Sequence, residues 1–390
     1  MEQKTKSIRN WLLLIVLSYT VFIFNTTEFI PIGLLTDIAT DFNISEARAS
    51  LLISIYAWFV AIMSLPLMLA IGKCDFRKLL LVIVGCFVVS HFLSAVASNF
   101  PMLLLSRLGV ACSHAIFWSI ISPLAMHIAP EGKREMALGM VVTGTSLAMI
   151  AGMPLGRIIG LHLGWRYSFG CIGIAALLAF VLLAVLFPSV PNKQNTSIKS
   201  LPTLFKSPVV TSIYIFTFLV VTAHYIGYSY IEPFLKQITG MADQLTTLSL
   251  IIFGVAGIGG SVLFSRYYNK KCKVFLYSIS IGMTSVLLSM HLASEVQLVS
   301  IAHCILWGLV FTTFNLVTEF EVIRHSPQQT TVAVAMFSSI FNIGIGFGAV
   351  IGGMALTKIS LSSIGYAGGL IASLALIFAL RKLIPVLGRS

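Results

Sequence analysis

The sequence predicts an all-α integral membrane protein in which twelve transmembrane helices form two six-helix bundles. Three features predict it: about twelve long apolar stretches in 390 residues, basic residues in alternate gaps between them, and a polar segment near the middle. A bilayer core of roughly 30 Å requires about 20 apolar residues of helix, and lipid offers no partner to unpaired backbone groups. Each apolar stretch is therefore expected to span the membrane.

The spans are placed by length and apolar content, with ends uncertain by several residues. They cover residues 11–33, 48–70, 79–97, 101–128, 135–160, 167–187, 209–235, 244–266, 274–293, 297–320, 330–356 and 364–381.

The basic residues predict the orientation. Nineteen of the 25 Lys and Arg residues lie at the two termini and in the even-numbered connections, against four on the opposite side, and only Arg107 and Arg157 fall inside spans. The positive-inside rule therefore places both termini in the cytoplasm. The net charge of +12 lies in short loops, where it meets anionic lipid headgroups, so membrane lipids rather than nucleic acid are the expected partners.

Residues 188–208 are rich in Pro, Ser, Asn and Lys, which is typical of a linker. They divide the chain into an N-terminal bundle, residues 1–187, and a C-terminal bundle, residues 209–390. In span five, small residues recur at every fourth position, namely Gly144, Ala148, Gly152, Gly156 and Gly160, and Pro154 is expected to kink the helix. In span eleven, Gly344, Gly348 and Gly352 recur in the same way. Such a face permits close helix packing, and its recurrence in equivalent helices favours a moving interface of a transporter over packing alone.

Two charged residues lie at similar depth below the outer boundary, Glu28 in span one and Arg107 in span four. A charge near the bilayer centre costs roughly 2.5 to 3.5 kcal/mol, so each is expected to face the protein interior. One interpretation is a fixed ion pair. The other is a proton-carrying carboxyl whose pKa is tuned by Arg107, with His224 as the second candidate proton carrier.

Aromatic, amide and imidazole side chains occur well inside several spans. Rings beside hydrogen-bonding groups suit a substrate with an apolar face and several hydroxyls, such as a sugar, although an interhelical hydrogen bond is the alternative for each residue. The candidate substrate-binding residues are Asn25, Tyr56, His114, Trp118, Tyr225, Tyr228, Trp307, Asn315 and Asn342. The remaining polar groups in or near spans are expected at the surface or membrane interface, among them His91 and Glu321.

Several classes of protein are not indicated. The chain has no phosphate-binding Gly-Lys-Ser/Thr loop and no soluble domain, so neither ATP-driven transport by this chain nor an enzyme is expected. Its six cysteines lack the paired spacing of a metal site or a disulfide framework, so no metal and no cofactor are predicted.

Span four contains Ser106-Arg107-Leu108-Gly109, and the glycine series of span five, Gly144 to Gly160, is followed by Gly164-Trp165-Arg166. With these motifs the chain resembles the major facilitator superfamily, specifically its twelve-helix drug:proton antiporter branch. The loop after span two, residues 71–78, departs from the family pattern because Asp75 lies outside the usual register. This departure concerns the charge contacts of that loop and not the fold.

Longer segments are similar to the bacterial sugar efflux transporters: residues 24–35, 113–120, 144–160, 222–234 and 341–349. The resemblance implies proton-driven efflux of arabinose, lactose-type glycosides and isopropyl thiogalactoside across the bacterial inner membrane by alternating access. A proton-driven multidrug exporter is the main alternative, and a channel or receptor is the other.

The orientation can be tested with reporter fusions. Because basic residues predict cytoplasmic termini, a reporter fused after Arg389 and one inserted at Asn195 should both report the cytoplasm. A C-terminal reporter outside the cytoplasm would contradict the count of twelve spans.

Overall fold

The computed structural model describes residues 2–70, 74–130, 133–190, 201–327 and 330–387. Their regular structure is helical, and twelve of the helices are long and apolar enough to cross a membrane. We number these spans α1 (Arg9–Gly33), α2 (Glu46–Ser64), α3 (Phe76–Ala95), α4 (Phe100–Trp118), α5 (Met136–Leu163), α6 (Trp165–Leu186), α7 (Pro208–Tyr228), α8 (Asp243–Tyr268), α9 (Lys270–Ala293), α10 (Gln297–Arg324), α11 (Val332–Lys358) and α12 (Leu361–Leu387). The predicted all-α, twelve-helix fold is confirmed.

The junction between spans eight and nine differs from the expected loop. Helix continues from Asp243 to Ala293, and its one non-helical residue is Lys271, with φ −137° and ψ 36°. The segment Tyr267 to Lys273 contains neither glycine nor proline, so nothing in it strongly opposes helix. The chain therefore changes direction by a kink at Lys271.

Asp75 starts α3 as its N-cap. Its carboxylate accepts hydrogen bonds from the backbone N–H groups of Arg77 (3.0 Å) and Lys78 (3.2 Å), and from the Ser189 hydroxyl (2.7 Å). The Ser189 bond, followed by the backbone bonds, lowers the pKa of this carboxyl, although partial burial opposes them. Arg77 also donates to the carbonyl of Ala184 (2.7 Å). The unusual register of Asp75 thus serves a helix cap that joins the start of α3 to the end of α6.

The described residues form two compact units. Unit one comprises residues 1–34 and 62–196, and unit two comprises residues 35–61 and 197–390. The central part of the predicted linker, residues 191–200, lies outside the described residues, as do Ile71, Gly72 and Lys73 of the loop after span two. The division into bundles at residues 188–208 stays a prediction.

In unit one, the glycines of α5 pack directly against α1. A Cβ atom added at Gly144 would collide with the carbonyl oxygen of Ser18, and one at Gly152 would lie 3.1 Å from Cα of Thr26. At Gly156 the added atom would meet the side chain of Ile30, on the same face of α1, and at Gly160 it would meet that of Leu34, which directly follows α1. A π-helical turn at Ala148–Gly152 ends two residues before Pro154.

In unit two, the glycines of α11 pack against α7 in the same way. A Cβ atom at Gly348 would lie 2.7 Å from the carbonyl oxygen of Thr222, and one at Gly352 would lie 2.6 Å from that of Ile226. Both glycine faces therefore allow one helix to approach the backbone of another. That these faces also move during transport stays a prediction.

The close packing at Gly144 can be tested by adding one methyl group. Gly144→Ala would force the alanine Cβ against the backbone of Ser18, which cannot move aside as a flexible side chain can, so we expect a destabilisation of about 1 to 3 kcal/mol. Gly139→Ala is the matched control, because a Cβ atom there has no neighbour within 4 Å. Thermal unfolding of the purified variants measures the difference, and equal melting temperatures would contradict the contact.

Candidate functional site

The candidate residues of unit one surround a carboxylate on α1. The Oε2 atom of Glu28 lies 3.5 Å from Nε2 of His114 on α4, and the Glu28 side chain is 20% exposed while that of His114 is 5% exposed. Phe24, one turn before Glu28, packs against the His114 ring with centroids 6.1 Å apart. The Glu28 carboxyl group therefore lies beside an imidazole and is not completely enclosed by protein.

Trp118 joins this pair from one turn further along the same helix. Its indole N–H donates a hydrogen bond to Nε2 of His114, the nitrogen that also faces Glu28. Because an indole N–H can only donate, this nitrogen carries no proton in the arrangement observed. The structure therefore brings together Glu28, His114 and Trp118, which the sequence predicted separately as proton-coupling and substrate-binding residues.

Arg107 lies 1% exposed on α4 and is held by the residue that precedes Glu28. Its guanidinium donates to the hydroxyl oxygen of Thr27 (2.9 Å) and to the carbonyl oxygen of Thr27 (3.1 Å). The ring of Phe169 on α6 lies 5.9 Å from the guanidinium carbon. A buried cation is therefore fixed beside the candidate proton carrier by two charge-assisted hydrogen bonds.

His91 on α3 is the residue of this group that sequence reasoning missed. We expected it at the membrane interface, and this is wrong, because its side chain is fully buried and its Nε2 atom lies 2.7 Å from the Thr27 hydroxyl oxygen. The signal was present in the spacing: Phe87, His91 and Ser94 continue a buried stripe at helical intervals.

Asn25 occupies a different environment on α1. Its amide donates to the carbonyl oxygen of Val21 and to the hydroxyl of Thr145 on α5, both at 3.3 Å. The interhelical hydrogen bond that we considered as the alternative to substrate binding is thus present. The amide links α1 to the helix that carries the glycine face.

In unit two, an aromatic cluster surrounds His224 on α7. The ring of Phe311 stacks on the imidazole with centroids 3.5 Å apart, and the ring of Tyr228 lies 4.8 Å away. Trp307 on α10 donates its indole N–H to Nδ1 of His224 at 3.0 Å. Tyr225 packs edge-on against the imidazole at 5.0 Å. Four predicted residues, His224, Tyr225, Tyr228 and Trp307, therefore meet in one cluster.

The hydrogen bond from Trp307 decides the protonation of His224. Since Nδ1 accepts, the neutral ring carries its hydrogen on Nε2, and a proton added to Nδ1 would face the indole N–H. His224 is also fully buried. Both observations favour a neutral histidine in this arrangement, and which residue carries the proton stays a prediction.

The remaining candidates of unit two lie on three different helices. Tyr56 is buried on α2, and Asn315 is partly buried on α10. Asn342 on α11 is 9% exposed and donates to the carbonyl oxygen of Ser338 (3.0 Å), which leaves its amide oxygen as a possible acceptor for a ligand.

A second polar group of unit two was not predicted. Glu232, fully buried, accepts from the Thr36 hydroxyl (2.7 Å), and Glu46 accepts from Gln237 (2.6 Å). Lys236 lies 3.0 Å from the Asp243 carboxylate and 3.6 Å from that of Glu232. Burial alone would lower the pKa of Lys236, but the hydrogen bond that it donates to Asp243 and the negative charge of Glu232 outweigh burial and raise the pKa.

Glu321 on α10 corrects another expectation. We placed it at the surface, but its side chain is buried and accepts a hydrogen bond from the Tyr268 hydroxyl at 2.7 Å. His325 and Arg324 lie 3.2 Å and 3.5 Å from its two carboxylate oxygens.

In the described part of the chain, no group of three His, Cys, Asp or Glu side chains is arranged to hold a metal ion.

Comparisons with known proteins agree with this architecture. The family model of the Major Facilitator Superfamily matches residues 15–321. A bacterial homologue of the human lysosomal transporter Spinster, in an inward-facing and unoccupied conformation, has a TM-score of 0.73 at 16% identity, over 97% of this chain and 94% of that one. A D-xylose–proton symporter has a TM-score of 0.76 at 16% identity, over 97% of this chain and 98% of that one. These structures show a shared fold, and the chain belongs to the Major Facilitator Superfamily.

Proposed function

We propose that this membrane transporter exports sugars across the bacterial inner membrane in exchange for protons, by alternating access. The proposed substrates are arabinose, lactose-type glycosides and isopropyl thiogalactoside. Protons moving inward would drive the sugar outward, with both termini in the cytoplasm and the two bundles, 1–187 and 209–390, joined by the linker at 188–208. Family membership supports transport rather than enzymatic catalysis.

The observation that carries the proposal is the shared nitrogen of His114. Trp118 donates to Nε2, and the Glu28 carboxyl lies 3.5 Å from the same atom. A proton on Nε2 would allow His114 to donate to Glu28 but would oppose the indole N–H of Trp118. The protonation of His114 and the position of the Trp118 side chain are therefore linked, as coupling between a proton and a substrate requires.

The composition of the candidate sites supports a sugar. Aromatic rings with amide, hydroxyl and imidazole groups are present in both units: Trp118 and His114 in unit one, and Tyr225, Tyr228 and Asn342 in unit two. The D-xylose–proton symporter shows that this fold supports transport of a sugar with a proton.

A proton-driven multidrug exporter is the second candidate, and one observation favours it. The Glu28 carboxylate and the indole of Trp118 both lie beside Nε2 of His114. A negative charge together with an aromatic ring would suit an organic cation. The two functions differ in what competes for the site. A sugar exporter should be inhibited by excess sugar, and a drug exporter by a cationic dye.

Transport by purified protein in proteoliposomes tests the proposal. Without a pH gradient, we expect counterflow of labelled isopropyl thiogalactoside. When a pH gradient is imposed, we expect the labelled sugar to accumulate against its concentration gradient. Dye transport without sugar transport would favour the multidrug exporter. Flux of sugar that never becomes uphill would contradict proton coupling.

The proton carrier can be tested with Glu28→Gln. The amide imitates a protonated carboxyl but cannot release a proton, so we expect loss of gradient-driven export with sugar exchange at equal pH retained. Glu295→Gln, which changes an exposed acid, is the control and should transport normally. If uphill export survives in Glu28→Gln and fails in His224→Gln, the proton carrier is His224.

The substrate contacts can be tested with Trp118→Ala and Asn342→Ala. Each removes one orienting contact worth on the order of 1 kcal/mol, so sugar affinity should fall about five- to tenfold while the protein remains folded in the membrane. Trp11→Ala, near the N-terminal end of α1, is the control for removing an indole. Unchanged affinity in both variants would place the binding site elsewhere.

A further inference from the structure

We propose that His91 is a positioning residue for proton coupling, which holds Arg107 beside Glu28 through the hydroxyl of Thr27. The inference rests on the proposed function, because it assigns a role in the proton exchange of Glu28. It concerns three buried side chains of unit one, on α1, α3 and α4, whose hydrogen bonds form one continuous chain.

The direction of each hydrogen bond in this chain follows from its acceptor. Nδ1 of His91 lies 2.8 Å from the carbonyl oxygen of Phe87, and a carbonyl can only accept, so Nδ1 carries the hydrogen. Nε2 of the neutral ring is then an acceptor, and the Thr27 hydroxyl donates to it at 2.7 Å. The lone pairs of the Thr27 oxygen remain for Arg107, whose Nη1 donates to it at 2.9 Å.

The surroundings favour the neutral form of His91. The side chain is fully buried, and α6 contributes the apolar ring of Phe169, 6.4 Å from the imidazole. The charged and titratable groups of the adjoining helices are Arg9, Tyr19 and Glu28 on α1, Arg107, Cys112 and His114 on α4, and Arg166, Tyr167 and Cys171 on α6. Of these, Arg107 is joined to His91 through the Thr27 hydroxyl. An imidazolium would put a second positive charge near the buried guanidinium of Arg107, which Coulomb repulsion opposes.

The hydrogen bonds from His91 through Thr27 to Arg107 allow His91 to influence the electrostatic potential at Glu28. With His91 present, the Thr27 hydroxyl hydrogen is committed to Nε2, so its oxygen presents its lone pairs to Arg107. Without His91, the hydroxyl hydrogen has lost its acceptor and the hydroxyl rotates toward another one, so Arg107 loses an acceptor of fixed orientation. Since Thr27 directly precedes Glu28, displacement of this cation changes the electrostatic potential at the carboxyl group that exchanges the proton.

The hydrogen-bond direction can be tested without any transport measurement. In full-length protein labelled with ¹⁵N-histidine and reconstituted in lipid, the resonance of His91, assigned by its loss in His91→Gln, should be that of the Nδ1–H tautomer from pH 6 to pH 8. An Nε2–H tautomer, or an imidazolium in this range, would overturn the inference whether or not the protein transports sugar.

The role in coupling is tested by the pH profile of uphill export of isopropyl thiogalactoside. His91→Leu and Thr27→Val should each move its midpoint upward by about 0.5 to 1 pH unit, a part of the ~1 to 3 units that a nearby opposite charge exerts on a carboxyl. Their effects should not add in the double variant, because both break the same chain. His91→Gln, which keeps an acceptor near the place of Nε2, should restore most of the wild-type profile.

Controls separate positioning from folding and from the proposed function. His127 is an exposed histidine that follows the C-terminal end of α4, and His127→Leu should leave the pH profile unchanged. Sugar exchange at equal pH should persist in every variant. Thr27→Val preserves side-chain shape, so it keeps the test valid if His91→Leu does not fold. Unchanged profiles in both variants would refute the role of His91, whereas a wild-type protein without gradient-driven sugar export would refute the proposed function.

Discussion

The cost of placing charge in a bilayer determines much of this structure. A charged side chain at the membrane centre costs roughly 2.5 to 3.5 kcal/mol, so it must be enclosed by protein and supplied with partners. Arg107 meets this requirement with two bonds to Thr27, and Arg157 does so with a bond to the carbonyl of Gly33. Glu28 lies beside His114 and is partly exposed, as the proposed exchange of a proton would require.

Helix α1 connects these charges to the close-packed part of unit one. One of its faces, which includes Thr26 and Ile30, lies against the glycines of α5. The neighbouring residues Thr27 and Glu28 point toward α3 and α4, where they contact His91, Arg107 and His114. A displacement of α1 relative to either side would therefore alter the proposed proton site and the glycine contact together. This arrangement gives the proposed coupling a physical route through a single helix.

The sequence predicted the features that depend on local pattern. The twelve spans follow from apolar length, and the glycine contacts follow from four-residue spacing, because one helix turn fixes which residues share a face. Arg107 and Glu28 were recognised because a charge inside an apolar span stands out. In contrast, Asp75 was noted only as a departure from a family pattern, and its role as a helix cap required knowledge of Ser189, which is distant in sequence.

The residues that sequence reasoning misplaced or did not identify are those whose partners lie on other helices. His91, Glu232 and Glu321 are each near the end of a span, where hydropathy cannot distinguish a solvated group from a buried one. Their burial depends on which helices adjoin that end and on acceptors such as Thr27 and donors such as Tyr268. Periodicity identifies the face of a helix, but only the fold supplies the residue opposite it.

Proton release on sugar binding is the most direct test of coupling through Glu28. Purified wild-type protein in weakly buffered solution should release protons when isopropyl thiogalactoside binds, because in an exporter driven by inward proton flow the two ligands oppose each other at the site. Glu28→Gln should bind the sugar without this release. Proton release of equal size in Glu28→Gln, or sugar binding by the wild type with no release between pH 6 and pH 8, would contradict the account.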